Sequence, residues 1–263
     1  MREKEVSFVN KEGKLITGMM RIPLSQEEEY SGSTRKFPIA IICHDFNQDQ
    51  NWGLIVDLYA TLSYAGFITL KFDFSGHGQS EGDFALSTIS NFRADLTTAI
   101  DFMYSQRESD TTTLLVVGHG IGADVAMLGA ADDRRITDIA LIGPYFDLEN
   151  HIKSYFGRFV EELKEKGETV VEGGKRIKRY YVDDMRRQDI AKAIDRIRIP
   201  IFMAHATDDT RVPIYDVRML YIKAKDPKTI EIMDGADHDY MRIPQRKFLI
   251  ELMMSFVDKW VKR

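Results

Sequence analysis

Short, almost continuously apolar segments recur along the chain, and most are followed by a segment whose apolar residues have helical spacing. The clearest apolar segments are IAIICHDF, FITLKFDF, TLLVVGHG, DIALIG, IPIFMAHA and TIEIMDG. A strand whose polar and apolar residues do not alternate has no face for water, so these strands are expected to be buried on both sides. The alternation of such strands with helices predicts an α/β fold, with a mostly parallel central sheet flanked by helices.

Two segments depart from this alternation and refine the predicted organisation. Near the N-terminus, residues 6–9 and 15–22 are predicted to form two short antiparallel strands. The highly charged segment 145–198 contains ETVVEGGKRIKRYYV, whose alternation on either side of Gly173-Gly174 predicts a hairpin with a two-residue turn, between helix-like flanks. We expect residues 1–144 and 199–263 to form the α/β core, and residues 145–198 to form a small inserted cap of helices plus a hairpin.

The charge balance and the single cysteine restrict the partners and the compartment. There are 36 Lys and Arg residues against 41 Asp and Glu residues, a net charge of −5, which does not favour attraction to nucleic acid or to an anionic membrane. Cys43 cannot form an intrachain disulfide, and the N-terminal segment has no apolar leader. These features predict a soluble, cytoplasmic protein with a small-molecule partner, and they are compatible with a homodimer.

The segment VVGHGIGAD, from Val116 to Asp124, fits two different kinds of site. Gly118, Gly120 and Ala123 match G-x-G-x-x-A, a dinucleotide-binding turn. The same residues match G-x-S-x-G, the turn that presents a nucleophilic serine, except that Gly120 stands at the serine position. The dinucleotide interpretation needs an acidic residue after the next strand, a requirement met only in part, and it leaves the later polar loops unexplained.

Two of those loops contain an acid and an imidazole at the ends of successive strands. Asp208 and Asp209 follow one predicted strand, in HATDDTRVP, and His238 follows the next, in GADHDY. Ligands of open parallel sheets bind beyond the carboxyl ends of the strands. An imidazole that acts as a general base needs a carboxylate to fix its tautomer, so this pair predicts acid–base chemistry at that edge.

Metal chemistry and thiol chemistry have little support in the sequence. The six His residues are scattered, without H-E-x-x-H or a cysteine pair. Cys43 lies within an apolar strand, where a buried structural thiol is expected rather than a nucleophile. We therefore expect neither a metal ion nor an organic cofactor.

Taken together, these motifs resemble those of the α/β-hydrolase superfamily, and within it the small bacterial and archaeal serine esterases of the cinnamoyl/feruloyl esterase type. The resemblance spans nearly the whole chain. HDF resembles the family's HGF oxyanion turn, and FDFSGHGQSEG resembles its D-x-x-G-x-G-x-S-x-G strand and loop. GHGIG resembles GHSxG, HATDDTRVP the HGxxDxxVP acid loop, and GADHDY the GAxH histidine loop.

This resemblance implies a role for each matching position. Asp209 would be the acid and His238 the base of a catalytic triad. The backbone N–H groups of Phe46 and Ile121 would form the oxyanion hole. Gly120 occupies the position of the nucleophile.

Two departures from the family pattern bear on activity. Asp45 replaces the glycine of the oxyanion turn and places an additional carboxylate near a developing anion. Gly120 removes the atom that would form an acyl-enzyme, although glycine adopts the strained backbone of this turn without a Cβ penalty. We expect this chain to have almost no esterase turnover. Gly120→Ser should restore a hydroxyl beside His238 and produce rapid hydrolysis of p-nitrophenyl acetate or butyrate.

Two functional hypotheses follow. In the first, the chain is a carboxylic ester hydrolase for small or aromatic esters whose serine has been replaced, by engineering or by natural drift. Tyr155, Phe156 and Tyr181 of the predicted cap would then line the substrate pocket. In the second, the chain is a non-catalytic member of the fold that binds a ligand or a partner. The retained Asp209 and His238 favour the first, because a binding protein does not need an oriented base.

Overall fold

The computed structural model describes residues 1–23 and 35–261, without the side chains of Ser154, Tyr155 and Glu172. An eight-stranded sheet lies at the centre of this part of the chain. The order of its strands is β1-β2-β4-β3-β5-β6-β9-β10. Strand β2 is antiparallel to both β1 and β4, and the remaining neighbours are parallel. The strands are β1 (Arg2–Val9), β2 (Leu15–Ile22), β3 (Phe37–Cys43), β4 (Ile68–Phe72), β5 (Ser109–His119), β6 (Asp138–Ile142), β9 (Ile201–Ala206) and β10 (Lys228–Met233).

Helices cover both faces of this sheet, as the sequence predicts. The helices are α1 (Gly53–Tyr64), α2 (Ile89–Tyr104), α3 (Ile121–Asp132), α4 (Leu148–Tyr155), α5 (Val160–Lys166), α6 (Arg179–Met185), α7 (Ile190–Arg196), α8 (Ile214–Lys223) and α9 (Ile243–Phe256). None of the helices in the described ranges combines the length and the apolar character needed to cross a membrane.

Two separate apolar cores explain why the central strands carry no polar face. Ile39 and Ile41 of β3 pack into the core beneath α2 and α3, whereas Ala40 and Ile42 pack into the core beneath α1 and α9. Successive side chains of a strand point to opposite faces of the sheet, so both sets must be apolar when both faces are covered. The predicted α/β fold, with a mostly parallel sheet between helices, is confirmed.

The segment between β6 and β9 holds the predicted helices and the predicted hairpin. Strand β7 (Glu168–Val170) pairs with β8 (Arg176–Lys178) in an antiparallel hairpin. The predicted two-residue turn is wrong, because the backbone N–H of Val171 donates to the carbonyl of Lys175 and leaves three residues in the loop. Gly173 and Gly174 have φ angles of 79° and 73°, and three-residue hairpin loops favour glycine at such a position.

The parallel arrangement brings the loops after β3, β4, β5, β9 and β10 to one edge of the sheet. Asp73, fully buried at the end of β4, joins two of these loops. Its Oδ1 accepts a hydrogen bond from the backbone N–H of Gln50 (2.7 Å), and its Oδ2 accepts from the backbone N–H of Gln79 (2.9 Å) and from Gln50 Nε2 (2.9 Å). The loop after β3 is therefore held in place by the loop after β4.

Replacing Asp73 by alanine should destabilise the protein markedly. The substitution leaves the buried backbone N–H and the buried side-chain amide of Gln50 without their acceptor, and each such buried group costs about 1–3 kcal/mol. We expect Asp73→Ala to lower the free energy of unfolding in urea by about 3 kcal/mol or more, against about 1 kcal/mol for Asp83→Ala at an exposed helix cap. Equal losses from the two variants would show that Asp73 does not hold these loops.

Candidate active site

The turn between β5 and α3 requires glycine at three positions, for different reasons. A Cβ at Gly118 would lie 2.2 Å from the carbonyl oxygen of Gly122, and a Cβ at Gly122 would lie 2.5 Å from the carbonyl oxygen of Cys43. These two glycines allow α3 to approach the strands. Gly120 has φ 54° and ψ −122°, a conformation that favours glycine and that strains other residues.

The side chain of Asp45 occupies the space that a side chain at position 120 would fill. Asp45 follows β3 and is only 3% exposed. A Cβ built on Gly120 would lie 2.1 Å from Asp45 Oδ1 and 2.2 Å from its Cγ. Asp45 Oδ1 accepts a hydrogen bond from the backbone N–H of Ile121 at 2.7 Å, and its Oδ2 lies 3.2 Å from His238 Nε2. The carboxylate thus stands where a serine side chain would project from the turn.

This contact changes two of the sequence-based expectations. The Ile121 N–H, proposed as an oxyanion-hole donor, already binds Asp45, so it is free for a substrate oxygen only when that carboxylate moves. Gly120→Ser alone would place its Cβ against Asp45, so that single substitution does not fit the site as it stands. The dinucleotide interpretation also loses its anion site, because Asp45 fills the N-terminus of α3.

His238 is held by Asp209, at the ends of the two neighbouring strands β9 and β10. His238 Nδ1 lies 2.6 Å from Asp209 Oδ2. Asp209 Oδ1 accepts hydrogen bonds from the backbone N–H groups of Arg211 and Val212, both at 2.8 Å, so this residue also shapes its own turn. The adjacent Asp208 is exposed, and its Oδ1 accepts a hydrogen bond from the hydroxyl of Thr207 at 3.3 Å.

Asp45, His238 and Asp209 form a line in which an imidazole lies between two carboxylates. Burial by itself lowers the pKa of His238, but the hydrogen bonds and negative charges of Asp209 and Asp45 outweigh it and raise that pKa to about 10. Burial by itself raises the pKa of Asp45, but the hydrogen bond and the charge of His238 bring it well below its usual range. In the folded protein His238 is therefore an imidazolium at neutral pH, and it cannot accept a proton.

Further charges and hydrogen bonds surround this line. Arg211 Nη1 lies 3.7 Å from Asp45 Oδ2, and its Nη2 forms an ion pair with Asp239 at 3.0 Å. His119, His238 and Asp239 are the one set of described side chains close enough together to bind a metal ion. His119 Nε2 already hydrogen-bonds to the carbonyl of His238, and both ring nitrogens of His238 face carboxylates, so these contacts would have to break before a cation could bind.

A cavity of about 20 Å³ adjoins Asp45, enough for about one water molecule. The residues that line it are Asp45, Phe46, Ile121, Tyr145, His151 and Arg211. Aromatic rings of the inserted segment pack against Phe46, which lines the cavity. Phe46 stacks on Tyr181, with 4.7 Å between ring centroids, and meets Phe156 edge-on at 6.3 Å. The cavity is too small for a larger ligand, which would need the residues around it to move.

Two of the three predicted pocket residues have buried side chains beside Phe46, and they do not line the cavity themselves. Tyr181 is 1% exposed and Phe156 is fully buried, while the side chain of Tyr155 lies outside the described part of the structure. Tyr145, His151 and Arg211 are not predicted from the sequence, because their loops and helix carry no diagnostic spacing. Asp45 and Gly120 are recognisable as unusual, but the sequence does not indicate that the side chain of Asp45 fills the space beside Gly120.

Comparison with known families identifies a model for part of the chain. The model described as serine aminopeptidase, S33, matches residues 38–185, which is more than half of the chain. This range begins in β3 and ends at the end of α6, so it includes Asp45 and Gly120 and precedes Asp209 and His238.

Two curated relatives match over part of their own length. Lysophosphatidylserine lipase ABHD12 of Danio rerio is 26% identical over 225 residues, which are 81% of this chain and 54% of the lipase. An uncharacterised 31.7 kDa protein of Escherichia coli is 28% identical over 102 residues, which are 38% of this chain and 35% of that protein. The chain therefore spans about half, or less, of the length of these relatives.

Solved structures match over nearly the full length. Est1E from Butyrivibrio proteoclasticus with bound ferulic acid has a TM-score of 0.82 at 21% identity, and the match covers 98% of this chain and 100% of the Est1E chain. The esterase domain of a Rhodothermus marinus protein has a TM-score of 0.74 at 24% identity, and the match covers 99% of this chain and 100% of that domain's chain. At these identities the likeness shows a common fold.

The protonation of His238 can be measured directly. In a titration followed by the ring nitrogen resonances in NMR spectra, His238 should remain protonated through about pH 9, well above the range of an ordinary histidine. His151 is an internal control, since burial lowers its pKa to about 4 and it should remain neutral.

Asp45→Asn should lower the pKa of His238 towards its ordinary value, because one of the two carboxylates loses its charge. The pKa of His238 is higher in the folded protein than in the unfolded chain. The ion pairs of His238 with Asp45 and Asp209 therefore stabilise the protein fully at a pH below the unfolded-state pKa, and this stabilisation is lost as the pH rises through about 10. A His238 that titrates near pH 6.5 in the wild type would contradict the arrangement of charges described above.

Proposed function

Since the chain belongs to the serine aminopeptidase S33 family and has the α/β-hydrolase fold, we propose that it is a small-molecule hydrolase of the esterase type whose acyl-serine route is closed. In this proposal Asp209 and His238 remain the acid–base pair. Position 120 provides no nucleophile, and carboxylic esters are hydrolysed only at a residual rate. The substrate is a small neutral molecule, and no metal ion or organic cofactor takes part.

The observation that carries this proposal is the position of the Asp45 carboxylate. It accepts a hydrogen bond from the Ile121 N–H and lies beside His238. It therefore occupies the place of the serine side chain and engages one of the two proposed oxyanion donors. A substrate carbonyl cannot use that donor while Asp45 holds it. His238 is moreover protonated in this arrangement, so it cannot activate a hydroxyl or a water.

Aromatic side chains support a preference for small or aromatic substrates. Phe46 lines the cavity, and Phe156 and Tyr181 pack against it and against each other. We include Tyr155 with them because of its position in the chain. When the inserted segment opens, these rings would become the walls of the apolar pocket that a small ligand needs.

A second candidate is a non-catalytic binding protein. The observation that favours it is the closed site, with a cavity of only about 20 Å³ and an oxyanion donor already satisfied by the protein. What weighs against it is the complete Asp209–His238 hydrogen bond at 2.6 Å, in the arrangement that an acid–base pair requires.

Restoring esterase activity should require two substitutions together. The double variant Asp45→Gly/Gly120→Ser supplies the hydroxyl and frees both the space and the Ile121 N–H. We expect it to hydrolyse p-nitrophenyl butyrate at least about 100-fold faster than the wild type, because loss of a serine nucleophile alone costs about 10⁶-fold in comparable enzymes. Labelling by a fluorophosphonate probe should appear in the double variant and be absent from the wild type.

The two single variants are the matched controls. Gly120→Ser keeps the clash with Asp45, and Asp45→Gly keeps the missing hydroxyl, so neither should approach the rate of the double variant. A wild-type chain that already hydrolyses the ester rapidly would contradict the closed route. A double variant that is folded but remains unlabelled and inert would favour the binding protein.

Within the double variant, the roles of the two adjacent aspartates can be separated. Asp209→Asn should lower kcat by about 10³- to 10⁴-fold, because the imidazole loses the group that fixes its tautomer. Asp208→Asn changes an exposed carboxylate that does not contact His238, and kcat should change by less than about 3-fold. Equal losses from the two substitutions would contradict the assignment of Asp209.

A further inference from the structure

The Asp45 carboxylate is a buried, ionised group for which the serine route has no use. It lies beside an imidazole that is itself held by a second carboxylate, and one of its oxygens is bound by the N–H at the start of α3. These are the surroundings that the turn would give to a nucleophile on residue 120. The same side chain lines the cavity that adjoins the site.

We propose that Asp45 is itself a nucleophile, and that the protein hydrolyses small molecules in which a saturated carbon carries a leaving group, such as epoxides and alkyl halides. The inference deepens the proposed function, since it names a substrate class for the same site. It follows from the position of the carboxylate between Ile121 N–H, His238 and the cavity.

The chemistry of a carboxylate determines this substrate class. If Asp45 attacked an ester carbonyl, the adduct would expel the carboxylate again, because an alkoxide is a much stronger base and a poorer leaving group. Attack at a saturated carbon has no such return path when the leaving group is a halide or a strained ring oxygen. Arg211 lines the same cavity, and its positive charge can stabilise the negative charge that develops on that leaving group.

The first step forms a bond between an Asp45 oxygen and the substrate carbon, and breaks the bond from that carbon to the leaving group, which departs with the electron pair. Asp45 becomes a neutral alkyl ester. His238 then faces a single carboxylate, so it releases its proton, to the alkoxide of an opened epoxide or to solvent when a halide leaves. His238 thereby becomes a base only after the first step is complete.

The second step regenerates the carboxylate. A water molecule attacks Cγ of Asp45 while His238 Nε2 takes its proton, and the oxyanion forms on the oxygen that the Ile121 N–H binds. Collapse breaks the bond between Cγ and the alkyl oxygen, and that oxygen receives the proton from His238. The acid proton of Asp45 then returns to His238. The sum is one epoxide and one water to a diol, or one alkyl halide and one water to an alcohol, a halide ion and a proton.

The position of oxygen from solvent tests this sequence of bonds. The full chain, in excess over styrene oxide or over 1-bromobutane, is allowed a single turnover in heavy-oxygen water. We expect the heavy oxygen in the peptide that contains Asp45 and not in the first product molecules. Heavy oxygen in the product and none in the peptide would overturn the proposal, because water would then attack the substrate directly.

Variants of the full chain provide the controls. Asp45→Asn should abolish turnover of both probes, whereas Asp208→Asn, an exposed carboxylate outside the site, should retain the wild-type rate within about 2-fold. His238→Gln should accumulate the alkyl ester at Asp45, which is visible as an adduct in peptide mass spectrometry. This variant tests the first step independently of whether Asp45→Asn folds. If neither probe is consumed and no adduct forms at Asp45 in either the wild type or His238→Gln, the proposal is overturned.

The test of Asp45 as a nucleophile can fail or succeed independently of the test of the proposed function. If Asp45→Gly/Gly120→Ser hydrolyses esters while the wild type leaves both probes unchanged, Asp45 is not a nucleophile and the closed serine route still stands. If the wild type consumes either probe through Asp45 while the double variant is inert towards esters, Asp45 is a nucleophile. The proposed esterase-type function is then contradicted. Activity on only one probe identifies which leaving group the site accepts.

Discussion

The hydrogen bond between Asp45 and the N–H of Ile121 constrains every other part of the site. It anchors a carboxylate at the positive end of helix α3, where a negative charge is favoured by both the free N–H groups and the helix dipole. From this anchor the second oxygen of Asp45 reaches His238, while the first oxygen and Cγ occupy the space that a side chain at position 120 would need. The occupied space beside Gly120, the filled oxyanion donor and the protonated imidazole therefore all depend on this one contact.

The charge of Asp45 controls what His238 can do. With Asp45 and Asp209 both ionised, the imidazolium is stabilised and holds its proton. When Asp45 loses its charge, only Asp209 remains, and the imidazole becomes able to accept a proton. His238 thus becomes a base at the stage when an ester of Asp45 would require hydrolysis. A serine hydrolase needs its base at the outset, so this arrangement of charges does not suit that mechanism.

The sequence predicted the parts of this structure that depend on local pattern. The alternating burial of Ile39 and Ala40 follows from strands covered on both faces, and the order of the strands brought Asp209 and His238 to one edge. The hairpin was predicted, but its turn was assigned two residues, because the pair Gly173-Gly174 suits two-residue and three-residue loops alike. The reach of the Asp45 side chain could not be predicted, since it depends on how close β3 lies to the start of α3.

Residues 45 and 120 share one volume and one set of hydrogen-bonding groups, so they are best considered as a pair. Glycine at both positions would leave Nε2 of His238 without a protein partner, and aspartate with serine would place two side chains in the same space. Two combinations satisfy both requirements: glycine with serine, which the family pattern has, and aspartate with glycine, which this chain has. The second combination keeps a polar group on His238, and His238 keeps its bond to Asp209. A site that had merely lost its serine would need none of these contacts, whereas a site rebuilt around a carboxylate depends on all of them.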